Sequence, residues 1–352
     1  GITLGDKNVA LGYAALSAAN AGNRSVAIGS SALNAQNAGS AGQNMYNVGI
    51  GYNAGGSVST AVNNTLIGGL SGDAITTGGD NVSLGYNSLT SNTIGNSNVA
   101  IGKDSMLTNV AADRNVAIGL GTLQNMTAAS TSDTYNTAMG YAAGHAITSG
   151  TLNTTIGGLA GDALNSGHGN VALGYFAMSA ATTEGDTVAI GRAAMSGSTL
   201  SQRAVAVGAY ALEDQTHGTL TNTYNTAVGW SAGLNLTSAV RTTIVGGETA
   251  NAIMTGHDNT LLGYGTGYDI TSGHSNTLVG STAGNNIIGG SNNTFIGHGA
   301  GDAVTTGDNN IIIGVDAAAS AVGVDNEITL GDANISAIRC QVQSISALSD
   351  ER

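Results

Sequence analysis

Proline is missing altogether from the 352 residues, which suits a fold that uses nearly every backbone N–H. The single cysteine, Cys340, excludes an internal disulfide and a cysteine-based zinc site. Aromatics make up 4% and charged residues 9%, a composition that fits no ordinary globular core. Basic residues are scarce: nine Lys plus Arg face 22 Asp plus Glu, for a net charge of −13. That excludes nucleic acid or an anionic membrane surface as the main partner, since both need clustered basic groups. No apolar run reaches the length of a membrane-spanning helix, so no membrane insertion is expected.

Glycine is what the chain has in quantity, 55 residues. It does not recur every third residue, which excludes collagen. It marks instead a core motif, Asn-(Val/Thr)-x-(Ile/Leu/Val)-Gly, that runs from Gly5 to Gly331. Fifteen of the nineteen gaps between successive motif glycines are 17 residues. A fixed period of this size predicts an all-β parallel β-solenoid, in which each turn contacts mainly its neighbours. Twenty turns at a strand spacing of ~4.8 Å make a rod of roughly 95 Å.

Let the motif glycine be position 0. Position −1 is always apolar and position −3 is always Val, Thr or Ile. Residues two apart share a strand face, so −3 and −1 are expected to point together into the coil. Position −2, mostly Ala early and then Ile244, Leu261, Leu278, Phe295 and Ile312, is expected to point outward. A strand apolar on both faces is buried on both. The second face then needs a partner, and the simplest is another copy of the chain. Position −4 is usually Asn, for which an amide ladder along the stack is expected. Positions +4 and +7 trade volume: Leu89 goes with Asn92, and Gly161 with Leu164. Both are expected to face the interior, with one bulky group per turn.

Longer gaps fall at 29–51, 119–140 and 208–229, so that a five-turn block recurs every 89 residues. The extra residues form insertions at 34–46, 124–135 and 213–224, on one side of the rod. Residues 1–331 are read as the solenoid shaft and 332–352 as a connector, with apolar residues at helix-like intervals. Ile2–Asp6 recurs as Ile328–Asp332, which suits capping turns at the two ends.

Chemistry is harder to find. Most acidic residues, such as Asp73, Asp162 and Asp302, sit in turns and read as turn formers. No phosphate-binding loop is present, because the glycines obey the structural period. The histidines lack a His-x-His pair and read as surface residues, so no metal is expected. No catalytic residue and no cofactor are assigned within the shaft. The best binding candidates are Tyr46, Tyr135 and Tyr224, which end the three insertions, and Trp230. Their amphipathic rings suit a cell-surface glycan or a protein. The competing reading is that these rings only cover an insertion against the rod.

Runs such as Asn98-Val99-Ala100-Ile101-Gly102 and Asn136-Thr137-Ala138-Met139-Gly140 resemble the head repeats of trimeric autotransporter adhesins, which also occur in bacteriophage tail fibres. That resemblance covers residues 1–331 and implies a left-handed β-roll assembled as a homotrimeric rod. The 17-residue turn is longer than in the adhesin heads. The terminal Ser349-Asp350-Glu351-Arg352 is similar to the junction preceding an endosialidase-type intramolecular chaperone. In that family a C-terminal chaperone trimerises a fibre and cuts itself off between the Ser and Asp. The resemblance implies autocleavage of a longer precursor between Ser349 and Asp350, with the family's Lys falling beyond this chain. The expectation is therefore a structural tail-fibre shaft on a virion, contributing to host-surface recognition. The alternative is an extracellular adhesin head. A glycan-degrading tailspike ranks third, since no pair of carboxylates facing a cleft is evident.

Overall fold

A computed structural model describes residues 5–18, 22–127, 131–252 and 255–337. The chain is an all-β parallel β-solenoid, and no helix occurs among the described residues. Its main sheet has nineteen strands of three residues each, from Val9–Leu11 to Ile328–Leu330. Each strand is positions −3 to −1 of one repeat, paired in parallel with the strand of the next repeat, 17 residues on except across the insertions, as Val82 with Val99. The strand of the first repeat, at 2–4, lies outside the described residues.

The insertions do not disturb this register: Ile28 pairs with Ile50, and Ile118 with Met139. Their residues make small flanking sheets instead. Ala112–Asp113 pairs with Ser132–Asp133, and Thr199–Gln202 with Thr216–Asn222, where a register shift absorbs the added residues.

The two faces of the strand are the reverse of the sequence expectation. Position −2 is the interior column: Ala27, Leu66, Ala100, Ala172, Ile244, Phe295 and Ile312 are fully buried. Positions −3 and −1 point outward, and Leu84, Leu173 and Leu262 are 44%, 40% and 47% exposed. The physical reason lies in volume. Nearly every turn already receives a large side chain from +4 or +7, and those among the described residues are buried. Only the small residue at −2 fits opposite Leu33 or Met106. Where −2 becomes Phe295, position +4 is Gly301, and a Cβ there would lie 2.3 Å from the Phe295 ring. The volume trade thus runs through three columns, −2, +4 and +7. Leu123 and Met126, both bulky and both buried, are accommodated because the next turn has Gly144, whose Cβ would lie 2.9 Å from Leu123 Cδ2.

The asparagine column forms the expected ladder. Asn98 Oδ1 accepts the backbone N–H and the side-chain amide of Asn115, both at 3.1 Å. Asn98 Nδ2 donates to the carbonyl of Ala112 at 2.8 Å. Fully buried amides satisfied in this way cost little and fix the register.

Corners close the coil. The motif glycine has φ from +127° to +145° across the turns from Gly12 to Gly314, and a Cβ would strike the next turn: at Gly102 it would lie 2.5 Å from Gly119 O. Left-handed backbone also recurs at −5, +2 and +4, even for Leu33, Leu89 and Met106. After the last strand, residues 332–337 contain a turn and no helix. Ser349 and Asp350 lie outside the described residues.

Candidate functional site

The left-handed corner at −5 turns its side chain outward ahead of each strand. There the structure places Tyr46, Tyr135 and Tyr224, each about half exposed. Each ring lies against an arginine from the −5 corner of the preceding turn. Arg24, Arg114 and Arg203 lie 5.7, 5.8 and 5.9 Å from the respective ring centroids. Arg24 and Arg203 also donate to the hydroxyls of Tyr46 and Tyr224, at 2.8 and 3.0 Å. Arg114 instead pairs with Asp133, which in turn accepts from the Tyr135 hydroxyl at 3.1 Å. Further along the column Arg241 makes a two-pronged pair with Asp258, at 2.6 and 2.9 Å. The three tyrosines therefore belong to a longitudinal row of polar pairs.

Trp230 is not in that row. It occupies position +1, beyond the other end of the strand, together with Tyr52, Tyr86, Tyr141, Tyr175 and Tyr264. The −5 corner precedes the three-residue strand Thr226–Val228 and +1 follows it, so the two columns flank opposite ends of the strand.

The +1 column is one edge of a strip that also presents positions +2 and +5. Two cavities open in this strip, and both use the same three positions of three successive turns. The first, about 260 Å³, is bounded by Leu120 and Tyr141 at +1, Gly121, Ala142 and Leu159 at +2, and Gln124, His145 and Asp162 at +5. The second, about 280 Å³, is bounded by Tyr175 and Arg192 at +1, Phe176, Ala193 and Tyr210 at +2, and Ser196 and Glu213 at +5.

Polar groups converge in each. In the first, Asp162 Oδ1 is buried without a hydrogen-bond partner. Burial raises the Asp162 carboxyl above its ordinary value, against backbone hydrogen bonds and the nearby His145 that lower it. In the second, Arg192 lies 4.5 Å from the Tyr210 ring centroid, and Ser196 donates to Glu213 at 3.2 Å. Burial raises Glu213 too, opposed by the Ser196 hydrogen bond. Each cavity is lined by one carboxylate, whereas glycoside hydrolysis in its usual form needs two.

On the last turn of the first cavity the +1 position is Gly158. A Cβ there would make only ordinary contact, 3.5 Å from the Tyr175 ring. Tyr141 and Tyr175 are two turns apart, about 9.6 Å at ~4.8 Å per turn. The same pattern recurs as Tyr52, Gly69 and Tyr86, and as Trp230, Gly247 and Tyr264.

The sequence reading found Trp230 but not the strip. The recurrence of the +1 aromatics every 89 residues was the available signal. Asp162, His145 and Gln124 share position +5 of adjacent turns, yet each reads alone as a turn or surface residue. Only the stacking brings them together. No group of three or more His, Cys, Asp or Glu able to hold a metal occurs among the described residues. No described helix is long and apolar enough to cross a membrane. No known family model matches the chain, and no curated protein matches it.

Proposed function

We propose that the chain is a shaft segment of a bacteriophage tail fibre, built from three parallel copies and contributing to attachment at the host surface. The observation that carries this reading is the outward strand face. Its −1 column stays Ile, Leu, Val or Met along the whole sheet, beside Val, Thr or Ile at −3. Monomeric proteins rarely leave an apolar stripe of such length in water. Eighteen steps between nineteen strands, at ~4.8 Å each, give a stripe of roughly 86 Å. Identical repeats on identical chains cover one another turn for turn, and a closed ring of copies leaves no stripe exposed.

The same geometry supports the shaft role, since a rod spans distance at little cost in chain complexity. The terminal Ser349-Asp350-Glu351-Arg352 favours a phage fibre, carried on the virion, over a bacterial adhesin head. The Asn-Val-Ala-Ile-Gly repeats themselves suit the adhesin equally well.

Charging the stripe tests the reading. Leu84→Asp with Leu173→Asp and Leu262→Asp should dissociate the assembly, because the new charges would be buried without partners. If the stripe is free surface, the triple variant keeps the mass and melting temperature of the parent, and the reading fails.

A further inference from the structure

The two cavities of the +1, +2 and +5 strip occupy six successive turns, and the Tyr175 ring lies over Gly158 where one cavity meets the other. Tyr141 is the +1 residue on the middle turn of the first cavity, and Tyr175 that on the first turn of the second. Gly158, the intervening +1 residue, offers no side chain. We infer that this trough binds a linear, uncharged hexose glycan lengthwise, with sugar rings laid on Tyr141 and Tyr175 across Gly158.

The lining chemistry selects that class. An extended ligand with alternating apolar faces and hydroxyl edges matches exposed rings spaced about two turns apart. Tyr141 and Tyr175 are 60% and 57% exposed, so their faces are available. Hydroxyls are donors as well as acceptors, and the first cavity offers the Asp162 carboxylate, one oxygen of which lacks a partner. Gln124 and His145 supply further polar atoms at its rim. The second cavity offers Glu213, Arg192 and Ser196. A buried polar group left unpaired is costly, and a ligand hydroxyl relieves that cost.

Charge decides between uncharged and acidic glycans. The first cavity contains a carboxylate and no Lys or Arg, and in the second Arg192 is matched by Glu213. The chain as a whole carries −13. An acidic polysaccharide would meet repulsion along the rod.

The inference rests on the reading of host-surface recognition and deepens it by naming the site and ligand class. It is tested on the folded chain with an array of linear bacterial polysaccharide fragments, neutral and acidic. Neutral hexose fragments should be retained, and acidic ones should not. Tyr141→Ala should weaken the binding of a retained fragment at least tenfold. Gly158→Leu is the sharper variant. Its backbone is not left-handed and within 4 Å its Cβ would meet only the Tyr175 ring, so the fold should hold while the leucine pushes that ring out of place. Binding should be lost with the melting temperature and mass unchanged. Tyr46→Ser with Tyr135→Ser and Tyr224→Ser should bind like the parent. Retention of no neutral fragment, or of acidic fragments only, would overturn the inference. So would binding that survives Gly158→Leu. A trimer of parental stability that binds no glycan sinks this inference and leaves the shaft reading standing; a monomer that binds does the opposite.

Discussion

Leu164 occupies the space that a side chain at Gly161 would need. A Cβ on Gly161 would lie 2.9 Å from Leu164 Cδ1 and 2.8 Å from Thr155 Cγ2. Both residues face the interior, and Leu164 is fully buried. Gly161→Leu should therefore overpack its turn, costing about 1–3 kcal/mol. The left-handed backbone does not itself forbid it, since Leu212 takes φ +50° at the same position of its turn. Leu164→Ala should leave a cavity and cost about 2–5 kcal/mol. The double variant should lose less than the two single losses combined, as read by chemical denaturation. Additive losses would mean that the two positions do not share a space.

The motif glycines set a stricter limit. At Gly102 the backbone has φ +127° and an added Cβ would meet the carbonyl oxygen of Gly119. Gly102→Ala should lower stability by more than about 2 kcal/mol, since backbone has to move against backbone. Gly42 is the control: it too is left-handed, but nothing lies within 4 Å of its Cβ. Gly42→Ala should cost only the strain of that conformation, about 1–2 kcal/mol. Equal losses at the two sites would show that crowding between turns is not what holds the motif to glycine.

Asp162 should make the rod less stable as pH rises. Its carboxyl is raised by burial above the ordinary 3.8, so the folded chain keeps a proton that the unfolded chain has released. Stability then falls with pH from about that value upward, until the folded group has ionised too. Asp162→Asn should remove this slope, melting higher than the parent at neutral pH and showing no such gain below pH 3.8. Asp258 works in the opposite sense. Its hydrogen bonds to Arg241 hold it below 3.8, so its stabilisation is present at neutral pH and lost on acidification. The pair is exposed, and the effect of Asp258→Asn should be small. An unchanged pH profile in Asp162→Asn would contradict the assignment.

The architecture was legible because each turn repeats the same demands. The 17-residue period, the Asn98–Asn115 ladder and the exchange of volume between Gly161 and Leu164 are local in the repeat and follow from spacing alone. The sidedness of the strand was not legible. Alternation says that −3 and −1 share a face but not which face is inside, and Ala at −2 reads as too small for a core. What decides is the side chain at +4, which fills the interior from the opposite wall. The corners at +2 and +4 were also hidden, because Leu70 and Leu89 give no hint of left-handed backbone. The strip was missed for another reason. Gln124, His145 and Asp162 are 21 and 17 residues apart, and only the stacking of turns makes them neighbours.

The terminal motif gives a test that needs no structure. Expressed with its natural C-terminal extension, the precursor should split after Ser349, and Ser349→Ala should leave it whole on a denaturing gel. Serine hydroxyls need a base to act as nucleophiles, and the resemblance places a Lys five residues on. A precursor that stays whole with Ser349 present removes the ground for preferring a phage fibre over an adhesin.

The most direct measurement is the mass of the folded chain in solution by light scattering, taken with its long dimension in an electron micrograph. Covering the outward column of Leu84, Leu173 and Leu262 with copies of itself predicts three chains of 34.5 kDa each in a single rod. The described strands alone should extend roughly 86 Å, at ~4.8 Å per step. A stable rod with the mass of one chain would contradict it.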